Sequence, residues 1–208
     1  MRPKRVVLTP QSDDNGISVL QKPTAASNLT ITGALASGGA VTLNHGHLIL
    51  ITCAGNDAGR TFTVTGTDDS NRAISEAISG ADTAASQGSV YFKTVTQIAV
   101  DAATAGNIIV GVNGLSASKW YHTDVYLNST NIGFSVELSG TATYSAQHTM
   151  ADIWNLDDIS GITVLDHDSL VDETTSDDGN YAFPMVAMRV RISAYTSGTV
   201  TLSMLQAG

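Results

Sequence analysis

The sequence predicts an all-β protein of two sandwich- or barrel-like units of antiparallel strands. Three features carry that expectation. Apolar residues alternate with period two over many short stretches. Glycine-rich turns such as Ser37-Gly38-Gly39 and Gly55-Asn56-Asp57-Ala58-Gly59 separate those stretches. No long stretch carries the 3.6-residue apolar period of an amphipathic helix.

In chain order, strands are expected at 17–20, 29–35 and 48–53. Phe62, Val64 and Gly66 then alternate with Thr61, Thr63, Thr65 and Thr67. After the turn Asp68-Asp69-Ser70-Asn71, Ile74, Glu76 and Ile78 alternate in turn, so 61–79 reads as a hairpin with β-branched threonines on its exposed face. A helix over 72–79 competes, but Gly80 and the serines weaken it. Strands at 90–92, 95–100 and 108–112 follow, and 111–118 reads as a linker.

Past the linker, Phe134, Val136 and Leu138 alternate up to Gly140, and Tyr144, Ala146 and His148 continue the pattern. Residues 150–154 read as a short helical turn or loop, and 157–178 as a long acidic excursion between strands. The chain is expected to close on a hairpin: Val186, Met188, Val190 and Ile192, a turn at Tyr195-Thr196-Ser197-Gly198, then Val200, Leu202 and Met204. Arg189 and Arg191 fall on the face opposite that apolar stripe. The expected domains are therefore 1–115 and 116–208.

A chain of 208 residues with 42% hydrophobic content is long and apolar enough for two cores. Charged residues make up only 14%, below the usual quarter, and Thr, Ser, Ala and Gly replace them. Such surfaces suit packing against neighbours. The net charge of −9 argues against a nucleic-acid binder held by phosphate contacts. Residues 1–118 carry 7 basic and 8 acidic side chains, net −1, while 119–208 carry 3 and 11, net −8. A near-neutral first unit and an acidic second one are expected from this division.

Cys53 is the single cysteine, so an internal disulfide is impossible, and its apolar run marks it as a buried thiol. The start, Met1-Arg2-Pro3-Lys4-Arg5-Val6-Val7-Leu8, has the charge of a signal peptide's first region, but its apolar stretch stops at Thr9-Pro10. No run approaches about 18 apolar residues. A soluble chain without a recognisable export signal or membrane span is expected.

Chemistry-bearing clusters are sparse. In an extended segment the imidazoles of His45 and His47 share a face and could reach one ion, though a solvated turn accounts for them more simply. Asp166-His167-Asp168 with Asp157 and Asp158 could gather oxygens around calcium, but they lack the spacing of a calcium loop, and Asp177-Asp178-Gly179-Asn180 reads as a turn. None of the serines sits in a Gly-x-Ser-x-Gly elbow beside His122, His148 or His167. Trp120, Tyr121, Tyr126, Trp154, Tyr181 and Phe183 read as core and interface residues. Arg2, Lys4 and Arg5 read either as an arm docking on an acidic neighbour or as a solvated terminus. No catalytic, cofactor-binding or metal-ligating residue is assigned, and no enzyme activity or cofactor is expected.

Three stretches carry a family likeness: Gly59-Arg60-Thr61-Phe62-Thr63-Val64-Thr65-Gly66-Thr67-Asp68 with Ile74-Ser75-Glu76-Ala77-Ile78-Ser79-Gly80, then Tyr91-Phe92-Lys93-Thr94-Val95-Thr96-Gln97-Ile98, then 183–190 running into 197–202. Together they resemble small β-rich structural (virion) proteins of tailed bacteriophages. The resemblance implies a non-enzymatic particle component located in the virion after assembly in the host cytoplasm. Head decoration or cement, binding the major capsid protein in many copies as a homo-oligomer, comes first. A head–tail junction or tail accessory protein is the alternative, as is a receptor- or glycan-binding module of a tail fibre. Neither nucleic acid nor membrane is an expected partner.

Overall fold

The computed structural model describes residues 3–126 and 131–207. Among them there is no helix, and the chain is all-β as the alternation predicts. Its strands begin with β1 (Lys4–Leu8), β2 (Ser12–Gln21), β3 (Ser27–Asn28), β4 (Ala36–Ser37), β5 (Ala40–His47) and β6 (Leu50–Cys53). Next come β7 (Thr61–Thr67), β8 (Ala73–Ser79), β9 (Ala85–Gln87), β10 (Phe92–Val100), β11 (Ile108–Asn113), β12 (Ser116–Ala117) and β13 (Tyr121–His122). Finally there are β14 (Asn131–Thr149), β15 (Leu165–Asp166), β16 (Asp177–Tyr181) and β17 (Ala187–Ala207). They fall into two compact units: Gln11–Gly114, which is contiguous, and a composite of Met1–Pro10 with Leu115–Gly208.

In the contiguous unit β7 lies between β8 and β10, and the far edge of β10 pairs with β5 and β3. A second sheet runs β2-β11-β6-β9. Phe62, Val64, Val95, Ile98, Val41 and Leu43 from the first sheet meet Ile17, Ile51, Cys53, Ile108 and Val110 from the second in one core. That is a β-sandwich, closed by apolar burial on its inner faces. The expected 61–79 hairpin forms in full register, from Thr61↔Ser79 to Thr67↔Ala73. Its turn is fixed by the Asp68 carboxylate, which accepts from the Ser70 and Arg72 amides at 2.7 and 2.9 Å and from Arg72 Nε at 2.9 Å. Cys53 is buried, and burial pushes its thiol pKa up.

Residues 29–35 do not form the expected strand. Leu29 donates to the Ile98 carbonyl in one sheet and Gly33 to Ile17 in the other, so the segment crosses between sheets. Leu29 and Ile31 are still buried. Alternation there records which residues face the core, without a ladder. Of the stretch 90–92 only Phe92 joins β10, which runs on through 95–100 with register shifts, and the expected linker 111–118 is mostly β11 and β12 around Gly114, whose φ is 83°.

A buried carboxylate ties two loops of this unit together. Asp57 accepts from the Ala105 and Gly106 amides at 2.6 and 3.4 Å. Asp57→Ala leaves those amides without their acceptor and is expected to cost about 2 kcal/mol by urea denaturation; a loss under ~0.5 kcal/mol would show that water replaces the carboxylate.

The composite unit is organised by one long antiparallel ladder between β14 and β17, from Asn131↔Ala207 to Thr149↔Ala187. The other edge of β17 takes β1, β12 and β13, and the other edge of β14 takes β15 and β16. Leu8, Ile132, Val136, Tyr144, Val190, Val200 and Leu202 share its main core. Trp120, Ile153 and Ala187 form a smaller one.

Four expectations change here. The closing hairpin is absent, because β17 runs unbroken through 195–198. Gly198, at φ 92°, faces Gly140, at φ 104°, and the register shifts at 141–144, so glycines and bulges bend a paired ladder instead of turning the chain back. Asp177 and Asp178 lie in β16, paired with Val136 and Ser135, and not in a turn. The acidic excursion is laced to β14 through β15, a Tyr144↔Glu173 bridge and β16, so it covers that strand's edge.

The fourth concerns the N-terminus. Lys4 and Arg5 belong to β1, paired with Met204 and Ser203, and so form neither a free arm nor part of the contiguous unit; Arg2 lies outside the described residues. Those cations change the charge division. The composite unit has 6 basic and 11 acidic side chains, net −5, and the contiguous one 4 and 8, net −4. The near-neutral and acidic halves of the sequence do not correspond to the folded units.

Candidate functional site

The histidines are the natural starting point, since they are the groups most able to ligate, transfer a proton or switch charge near neutral pH. His47 ends β5 and is fully buried. Its Nδ1 lies 2.9 Å from the His45 carbonyl, which can only accept, so Nδ1 carries the proton. Its Nε2 accepts from the Gln11 amide at 2.9 Å. Both ring nitrogens are thus committed to a neutral imidazole that latches the entry of β2 onto β5. Burial drives its pKa down to about 4; the backbone contact with His45 and the Asp69 charge oppose that, and the His45 and Lys93 charges add to it. His45 is also brought to about 4, chiefly by burial and secondly by Lys93. Asp69 accepts from the Gly46 amide at 2.7 Å and stands 3.7 Å from Lys93 Nζ. The expected solvated turn is instead a buried hydrogen-bonded clamp, in which both ring nitrogens of His47 are bonded within the fold.

The acidic residues are also dispersed. The Asp158 carboxylate turns back on Ser160, accepting from its amide at 2.8 Å and its hydroxyl at 3.0 Å, and these bonds lower its pKa. Asp166 accepts from Gln147 Nε2 at 2.9 Å. Between Asp166 and Asp168, His167 turns inward and stands 3.2 Å from the Asn180 carbonyl through Nε2 and 3.3 Å from the Ser169 amide through Nδ1. Among the described residues no three His, Cys, Asp or Glu side chains come together in a way that could hold a metal ion.

What sequence reasoning missed is an aromatic cluster that brings Phe134, near one end of β14, together with His148, near the other. Tyr181 of β16 stacks on Phe134 (5.4 Å, 23°) and meets His148, His167 and Phe183 edge-on at 4.8–5.5 Å. His148 Nδ1 and the Tyr181 hydroxyl are buried without hydrogen-bond partners among the described residues. Burial, helped by the neighbouring His167, holds the His148 pKa below its usual value, and burial with the Asp166 and Asp168 charges pushes Tyr181 up. The five rings come from four separate segments, so no local pattern announces them.

The chain was compared with known protein families, curated proteins and solved structures. It matches none of them.

The rest of the site is surface. Around the Thr149↔Ala187 end of the ladder the composite unit exposes Met150 (52%), Trp154 (45%), Leu165 (48%) and Phe183 (41%). The Trp154 ring meets His122 edge-on at 5.4 Å, and Phe183 meets His148 at 5.5 Å. Residues 120–188, which supply this surface, contain 11 carboxylates and no Lys or Arg. Trp120 is different: it is buried, with the Arg189 guanidinium 4.5 Å above its ring. Of the two tryptophans, only Trp154 faces solvent to any extent.

Proposed function

We propose that this chain is a non-enzymatic structural component of a multi-copy assembly, and more specifically a head decoration or cement protein of a tailed-phage particle. The observation that carries the reading is the grouping of exposed apolar side chains at the Thr149↔Ala187 end of the composite unit, among residues that carry carboxylates and no Lys or Arg. Large apolar side chains gathered on a surface mark a contact with another macromolecule. The buried clamp of His47 and the internal bonding of Asp57, Asp68 and His167 are consistent with polar groups used to hold the fold. The phage assignment rests on the resemblance of the stretches 59–68 with 74–80, 91–98, and 183–190 with 197–202.

A mass-spectrometric protein inventory of purified particles tests it, with the chain expected at many copies per particle. Particles that lack the polypeptide would overturn the assignment. A glycan-binding tail module has less support, since Trp120 is buried beneath Arg189 and is not open to stack on a sugar.

A further inference from the structure

The contiguous unit ends one of its sheets on β8, which among the described residues pairs with β7 alone. Backbone bonds flank that hairpin at both ends: the Asp68 amide donates to the Arg72 carbonyl at 3.0 Å, and the Gly80 amide to the Arg60 carbonyl at 2.8 Å. Antiparallel bonding alternates along a strand, so the even-numbered residues between those two points face β7. Ala73, Ser75, Ala77 and Ser79 therefore turn their N–H and C=O groups away from it, and all four are exposed. The strand is seven residues long and pairs without a bulge.

An open edge is a template for another strand, and proteins ordinarily blunt it with charge, a bulge or a covering segment. Such devices are present elsewhere in this chain. Lys4 and Arg5 lie on β1, and Asp177 and Asp178 on β16. The crossing segment covers β2 through the Gly33 and Leu35 amides, which donate to the Ile17 and Gly16 carbonyls. The outward residues of β8 are only alanines and serines. On the opposite face Arg72, Ile74 and Glu76 make a row of cation, apolar residue and anion. Asp68 holds Arg72 at 2.9 Å, and the Ser89 amide and hydroxyl donate to Glu76 at 2.6 and 2.8 Å, so both charged side chains are fixed in place.

We propose that β8 pairs antiparallel with β8 of a second copy of this chain, about a two-fold axis at Ile74. Ala73 of each copy then exchanges backbone bonds with Ser75 of the other. Arg72 of each copy lies opposite Glu76 of the other, and the two Ile74 side chains meet at the axis. A row of cation, apolar residue and anion is complementary to itself when reversed, which favours a second copy over an unrelated strand. Pairing about Glu76 overlaps more of the strand but sets two carboxylates face to face, which is destabilising. A two-fold contact uses the same edge on both copies and closes at the dimer. The β10-β7-β8 sheet then runs on into β8, β7 and β10 of the other copy. The inference rests on the reading of the chain as a multi-copy assembly component, and it names one surface through which copies meet.

Sedimentation velocity and native mass spectrometry of the purified full chain test it without any particle. Wild type is expected to pass from monomer to dimer as its concentration rises. Ser75→Pro removes an N–H that points away from β7, so the hairpin keeps its ladder while the dimer loses a bond in each direction. Dimerisation is expected to weaken more than about thirtyfold. Ser75→Ala removes only the hydroxyl's bond to the Val64 carbonyl and is expected to dimerise like wild type. Arg72→Glu and Glu76→Lys each set like charges across the contact, and mixing the two variants restores opposite charges and the dimer. Ile74→Cys reads the register even where a charge variant fails to fold. Position 74 meets itself at a non-hydrogen-bonded pair, with Cα atoms about 4.5 Å apart, so mild oxidation is expected to join the copies by a disulfide. Ile78→Cys stays unlinked, being about 26 Å from its counterpart at about 3.3 Å per residue. The native Cys53 is buried and does not compete. A wild-type chain that stays monomeric up to about 1 mM overturns the proposal. So does folded Ser75→Pro dimerising like wild type, Ser75→Ala losing as much as Ser75→Pro, a charge mixture that stays apart, or cross-linking at 78 in place of 74. The particle inventory is a separate measurement, so either idea can fail while the other stands.

Discussion

Replacing Gly198 with alanine is expected to lower the free energy of unfolding by about 3 kcal/mol or more. Two effects add. The backbone at Gly198 has φ 92°, a region that L side chains rarely adopt. A Cβ there would also overlap the carbonyl oxygen of Ser139 on the facing strand, a backbone atom that cannot swing aside. Gly39→Ala separates the two effects. Gly39 also has a positive φ, 81°, but a Cβ on it meets nothing within 4 Å. Strain alone should then cost about 1 kcal/mol. Urea denaturation of both variants checks the difference, and equal losses would mean that the β14–β17 ladder yields at its bend.

Stability should fall as the pH drops from about 6.5 towards 4, with His47 as the largest single source. Its folded pKa is about 4 against 6.5 for a free imidazole, because protonation would charge a buried ring and abolish the bond it accepts from Gln11. The unfolded chain therefore takes up a proton in that window that the folded chain refuses. The stabilisation is complete above pH 6.5 and is lost as the pH falls to about 4, by about 3 kcal/mol for a shift of this size. His45, less buried, and His148, also lowered, act in the same direction. His47→Gln keeps an acceptor near Gln11 but cannot titrate. It should lower stability at pH 7.5 by about 1–3 kcal/mol and flatten the fall between pH 6.5 and 4.5. Urea midpoints at four pH values measure this, and an undiminished slope in the variant would place the sensitivity in other groups.

The legible parts of the fold were those set by neighbours in sequence. The β7–β8 hairpin could be read because Phe62, Val64 and Ile78 alternate across a turn whose Asp68 ties its own backbone. Ser197-Gly198 misled because a glycine with positive φ serves equally in a tight turn and in a bend within a paired strand. What decides between them is Gly140, nearly sixty residues away and paired with Gly198. The same holds for Leu29 and Ile31, whose alternation reports burial but says nothing about which strand lies alongside. Charge is the least reliable guide, since Lys4 and Arg5 precede the contiguous unit in sequence yet pair with β17 of the other one. For the candidate site, spacing singled out His45 and His47, but only the fold brings Gln11 to His47. The Tyr181 cluster is assembled from distant segments and left no local signal.

The pairing of β1 also orders events during synthesis. Leu8 pairs with Val200, so β1 leaves the ribosome well ahead of the strand that it pairs with. Residues 11–114 are complete in themselves and can collapse while the remainder is still being made. At about 5–20 residues per second, Val6, Val7 and Leu8 wait on the order of 10–40 s for the strand that covers them. Through that interval the nascent chain carries a short, unpaired apolar strand. The flanking Lys4 and Arg5 are well placed to keep that strand from pairing with the wrong edge.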